Sequence, residues 1–132
     1  MANAVVRLVM GRMTVSVRDG PGNPRDFVAL YEIDAAHDNW FDWAYVANNQ
    51  KRPIPQAGAT AGRVTLNLPG KDGYYEVRLM TVGPTGYVEL ASGPEFSLGN
   101  PKCITLSPAP AAGTYTLTRP DGSSAGKVTV GP

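Results

Sequence analysis

The chain has 132 residues, 12 of them basic and 11 acidic, for a formal net charge of +1; 42% are hydrophobic and 17% charged. Such a length suits one domain with one core, the hydrophobicity excludes intrinsic disorder, and the interspersed charges offer no basic stripe for nucleic acid. No apolar run reaches the ~20 residues that span a bilayer, and a single cysteine, Cys103, with a single histidine, His37, excludes an intrachain disulfide and a His/Cys metal site.

Read along the chain, apolar and polar residues alternate in short runs, the period-2 signature of half-buried strands. The first predicted strand, 4–9, is interrupted as a lipid-like run by Arg7. The preceding Met1-Ala2-Asn3 lacks the basic and apolar regions of a signal peptide, so the chain is either cytoplasmic or cut from a longer, exported precursor. A second strand at 13–17 leads into the turn signal of residues 18–24, and a third follows at 27–33. Residues 34–39 suit a short helical turn, and 41–47 a fourth strand. Residues 48–62, with Pro53, Pro55, Gly58 and Gly62, read as one long loop, of the kind that often binds ligands. Strands at 63–68 and 74–82 flank a turn at 69–73, and strands at 87–90 and 95–98 follow a turn at 83–86. Cys103 falls in a strand at 103–107, and an irregular stretch at 108–113 precedes strands at 114–118 and 127–130, joined through a turn at 120–124. Eleven strands without a credible helix predict an all-β fold, a sandwich or a barrel, as one domain over residues 1–132, with the order of the strands in 102–132 left open.

Several segments carry a resemblance. Gly20-Pro-Gly-Asn-Pro-Arg-Asp26 precedes the strand Phe27-Val-Ala-Leu-Tyr31; then come Asp42-Trp-Ala-Tyr45, Gly62-Arg-Val-Thr-Leu66, Gly73-Tyr-Tyr-Glu-Val-Arg-Leu79, and Gly86-Tyr87 through Ala91-Ser-Gly-Pro-Glu-Phe96. In this order they resemble the immunoglobulin-like accessory domains that include the SKICH type and modules appended to secreted bacterial hydrolases and phosphatases. The likeness covers residues 14–98, with Phe27 where the family has Trp. It implies an immunoglobulin-like antiparallel β-sandwich, Trp43 and Tyr45 in the core, an extracellular or periplasmic home, and a supporting rather than catalytic role.

Among candidate sites, the aromatic run Trp40, Phe41, Trp43, Tyr45 is the strongest lead, because planar rings stack on sugar faces. Parity puts Phe41, Trp43 and Tyr45 on one face, the expected core side, and Trp40 before the strand, either as an exposed platform or as loop packing. Asn48, Asn49, Gln50 and Arg52 could orient a glycan through their amide and guanidinium donors. Asp34, Asp38 and Asp42 could bind Ca²⁺, although their spacing is not that of an EF-hand and Asx residues also cap turns. Arg78, alternating with Val77 and Leu79, either points to solvent or forms an ion pair with an acid such as Asp26 or Glu32.

No nucleophile elbow, zinc helix or phosphate loop is present, and Glu32, Glu76, Glu89 and Glu95 are isolated in sequence. The expectation is a non-catalytic module without cofactor, binding polysaccharide or docking on a neighbouring protein domain. One alternative is a structural or protein-interaction subunit of an extracellular or phage-type assembly, pairing through edge strands at 114–118 or 127–130. The other is a small hydrolase, which would need converging carboxylates and His37 in a cleft.

Overall fold

The computed structural model describes residues 4–7, 12–67, 73–93, 95–99, 103–106 and 114–130. The first three residues, the turn expected at 69–73 apart from its last residue, and the irregular stretch at 108–113 lie outside the described residues. Eleven strands run in chain order: β1 (Ala4–Arg7), β2 (Arg12–Val17), β3 (Phe27–Glu32), β4 (Asp42–Tyr45), β5 (Gly62–Asn67), β6 (Gly73–Gly83), β7 (Gly86–Ser92), β8 (Phe96–Gly99), β9 (Cys103–Leu106), β10 (Thr114–Thr118) and β11 (Ser124–Val130). Every ladder is antiparallel. The described residues contain no helix; 34–39 form tight turns instead of the expected helical one.

The alternation read from the sequence sets the register. Met13 and Val15 of β2 stand opposite Leu66 and Val64 of β5, and Val15 stands opposite Val128 of β11, all of them fully buried. Their neighbours Arg63, Thr65 and Lys127 point outward and are exposed. Fully burying one such aliphatic side chain is worth about 1.5–3 kcal/mol, which makes a one-residue slip in register prohibitive. At Gly126, with φ of 140°, an added Cβ would collide with the Ser16 carbonyl, so β11 lies against β2 only because that residue has no side chain.

The immunoglobulin-like expectation is met in part. Instead of two separate sheets, the strands form one sheet that curls until it nearly closes as a barrel. Its circuit runs β4, β3, β6, β7, β10, β11, β2, β5. Long β6 makes this possible, because a single edge of it pairs with β7 at residues 78–83 and with β8 at residues 73–75. β7 and β8 are therefore one strand interrupted near Gly93, whose N–H still donates to Val77 O. Beyond the interruption, β8 carries β9 on its other edge, and β9 carries β1.

The C-terminal strands take definite places. β11 lies between β10 and β2, so residues 127–129 are paired on both sides and 130 on one, and the strand is not the edge expected for strand addition. β10 is paired along its length with β11 and meets β7 at Thr118 and Ser92.

Where β5 comes back to β4, side chains take the place of a ladder. Asp42 Oδ2 accepts the Asn67 N–H at 2.8 Å, and Asn49 Oδ1 accepts the Thr65 N–H at 3.0 Å. Lys51 Nζ holds the other Asp42 oxygen at 2.6 Å. An added Cβ at Gly62 would strike the Val46 carbonyl, which shows how closely the seam approaches. Asp42 is nearly buried while Lys51 is half exposed, and the two partners therefore differ in worth. Asp42→Ala strands a backbone donor and should lower unfolding free energy by about 1–3 kcal/mol. Lys51→Ala removes a screened pair and should cost less than about 1 kcal/mol. Urea denaturation of both variants checks the ranking; equal losses would make the ion pair, not the backbone bond, the closing element.

Candidate functional site

β3 is buried along Phe27, Val28, Ala29, Leu30 and Tyr31, which means on both faces. Val28 and Leu30 point into the barrel core with Ala44, Val46, Val77 and Leu79. Phe27, Ala29 and Tyr31 point outward, into a second cluster with Tyr45 and Met80, flanked by Ala35, Trp40 and Trp43. The aromatic face of β4 therefore belongs to the outer layer, and the enclosed core takes the small Ala44 instead. The parity expectation holds for Tyr45, which is buried, though in the outer cluster; it is corrected for Trp43, which is half-buried, and Phe41, which is 49% exposed. Alternation assigns two faces and does not say which is enclosed; here both are covered.

The cover is a strap, residues 33–41, lying across β3 and β6. Its ends are held by Ile33 N–H to Tyr74 O at 3.0 Å and Phe41 N–H to Leu30 O at 2.7 Å. Its middle is held by Arg78, which is 4% exposed and donates through Nη1 to Ala35 O at 2.9 Å. The same nitrogen reaches His37 Nδ1 at 3.2 Å, while Tyr31 donates its hydroxyl to His37 O at 2.8 Å. The guanidinium lies 4.1 Å from the centre of the Tyr31 ring, a cation–π contact. Burial pushes the Tyr31 phenol well above its ordinary pKa, against the opposing effect of Arg78, and keeps its proton available for His37 O.

The counter-charges are Glu76, 2.7 Å from Arg78 Nε, and Glu89, 3.5 Å from it. This corrects the expected pairing with Asp26 or Glu32. Glu76 lies two residues from Arg78 on the same outward face, and Glu89 comes from adjacent β7. Asp26 is buried at the start of β3, where its Oδ2 accepts the Asn23 N–H at 3.1 Å. Glu76, Glu89 and His37 thus do converge, but upon a guanidinium that occupies them.

At the other end of the strap the outer layer opens into a groove of about 510 Å³. Phe27, 3% exposed, is its floor and packs edge-to-face on Trp40, Trp43 and Tyr87 at 5.6, 5.7 and 5.6 Å between centroids. Trp40 meets Tyr87 at 5.3 Å, and Tyr45 abuts Trp43 at 4.9 Å. Val82, Gly83 and Gly86 of the β6–β7 hairpin form one wall, and Arg25 stands at the rim. The volume lies in the range of small-molecule sites, about 300–1,000 Å³, and the mainly aromatic lining is typical of them.

Of the sequence candidates, Trp40 lines this groove and the loop residues do not. Asn48 Nδ2 donates to Pro53 O at 3.1 Å, its Oδ1 accepts the Gln50 N–H at 3.0 Å, and Asn49 serves the seam. Arg52 is exposed in the same loop. The three aspartates considered for calcium do not assemble: among the described residues no group of three or more His, Cys, Asp or Glu side chains could hold a metal ion, and both Asp42 oxygens are engaged. Arg25, Phe27, Val82 and Tyr87 went unnoticed as site residues, because they meet only through the β3–β6–β7 pairing. A long hairpin after Arg78 that ends in Tyr87 was the available signal.

Arg78→Met should unfasten the strap and leave two glutamates without a counter-ion. Because Glu76 and Glu89 keep side-chain exposures of 22% and 34%, the loss should be about 2–3 kcal/mol, below the 3–5 typical of a fully buried pair. Thermal unfolding measures it, and tryptophan emission should shift to the red as Trp40 meets water; an unshifted spectrum would mean that the strap holds without Arg78.

No protein-family model, curated protein or solved structure matches this chain.

Proposed function

We propose that the chain is a non-catalytic binding module that takes a carbohydrate in the aromatic groove. The observation that carries the reading is the grouping of Trp40, Trp43 and Tyr87 over Phe27 in an open, preformed groove. Rings fixed by edge-to-face neighbours lose little entropy on binding, and their faces suit the apolar faces of pyranose rings. A Cβ at Gly86 would meet nothing within 4 Å, so the hairpin end of the groove is open and a longer chain could run past it. An immunoglobulin-like accessory role beside a catalytic domain, in an extracellular or periplasmic protein, belongs to the same proposal and rests on the resemblance of residues 14–98.

The other readings fare differently. Strand addition needs free backbone groups: the β5 edge has its Thr65 and Asn67 N–H groups occupied by side chains, whereas β10 meets β7 only at Thr118 and is the edge such an assembly would use. Hydrolysis by paired carboxylates needs one of them to be free, while Glu76 and Glu89 both spend their charge on Arg78.

Calorimetric titration with tetra- to hexasaccharides of different backbones tests the proposal. Tyr87→Ala, a rim change at a residue 38% exposed, should weaken binding about tenfold, equivalent to ~1.4 kcal/mol, with the thermal midpoint nearly unchanged. Trp40→Ala should weaken it at least as much. Full affinity in both variants, or no binding to any saccharide, would overturn the reading.

A further inference from the structure

We infer that the saccharide is acidic and that Arg25 binds its carboxylate; this deepens the proposed function and rests on it. Among the described residues lining the groove, Arg25 alone carries a charge, the others being aromatic rings, Val82 and two glycines. Among the described residues no acidic side chain lines the groove. Adjacent Asp26 is buried and is not part of the lining, and Glu76 and Glu89 are held by Arg78.

Arg25 also differs from cations that are already engaged. Arg78 is buried in its ion cluster, Arg119 donates to Ser124 O, Arg18 O and Asp19 O, and Lys51 holds Asp42. The Arg25 side chain is exposed and makes no hydrogen bond or ion pair with any described residue. A permanently charged, planar, five-donor group at the rim of an aromatic groove is matched by a carboxylate projecting from a ring that stacks on the aromatic floor. A hexuronic acid has that shape: a pyranose face for one of the two indoles, Trp40 and Trp43, whose planes are inclined by 56°, and a C6 carboxylate at the ring edge for the guanidinium. A neutral hexose would fill the groove and leave the cation with water alone.

The test compares an oligouronate with the same oligomer methyl-esterified at C6, which keeps the ring and removes the charge. Wild type should bind the uronate at least tenfold more tightly than the ester, and the advantage should shrink as salt rises from 50 to about 300 mM. Arg25→Gln should bring the two ligands within twofold of each other with the thermal midpoint in place, and Arg25→Glu should make the ester the better ligand. Equal wild-type affinity for uronate and ester, with binding still lost in Tyr87→Ala, would overturn the acidic-sugar assignment and leave the carbohydrate reading standing. Tighter binding of a sulfated oligosaccharide than of the uronate would overturn the carboxylate assignment. Binding of none of them would remove both.

Discussion

A strand with five successive buried residues needs cover on two sides, and β3 imposes that requirement on everything around it. One side is satisfied by curling the sheet, which brings β2, β5 and β11 over Val28 and Leu30. The other has no sheet to pack on. The chain covers it with a strap and with the aromatic side chains of β4, which is why large rings gather on the outside of the barrel. The cover is uneven: at the Tyr31 end it is sealed by Arg78, and at the Phe27 end it leaves the groove.

The two ends use different physics. Sealing is ionic and hydrogen-bonded, with one guanidinium meeting a carbonyl, a ring face, an imidazole and two carboxylates. A buried cation of this kind stabilises only while all its partners are in place, so it fixes one path for the strap over its alternatives. The groove end is held by ring edges on ring faces, contacts that set geometry at little cost when one face is left to solvent. The rigid floor of Phe27 and the half-exposed Trp40 and Trp43 follow from that division.

Much of the fold was legible in the sequence because alternation and turn residues report strands directly. All eleven strands fall where the pattern puts them, and differences are confined to their ends. β4 stops at Tyr45 because its carbonyl accepts the Asn49 N–H and the chain turns there, and β11 starts early because Gly126 admits the close approach to Ser16. The global closure was not legible. It depends on Asp42 and Asn49, whose polar side chains look like turn or ligand residues until β5 is beside them. The site was half legible for the same reason. Trp40 and Trp43 are near neighbours in the chain, but Tyr87 and Arg25 reach them only through pairings between distant segments, and Arg78 found partners on its own sheet face, not the acids first considered.

The strap has one more consequence, for how this architecture can diversify. Trp40 belongs to a segment outside every ladder, anchored at a few points, whereas Phe27, Trp43 and Tyr87 belong to strands whose other face is core. Exchanging residues inside the strap between its Ile33 and Phe41 anchors would redraw one wall of the groove without disturbing barrel register. The scaffold and its selectivity can thus evolve at separate rates, as they do where variable loops are carried on an invariant frame.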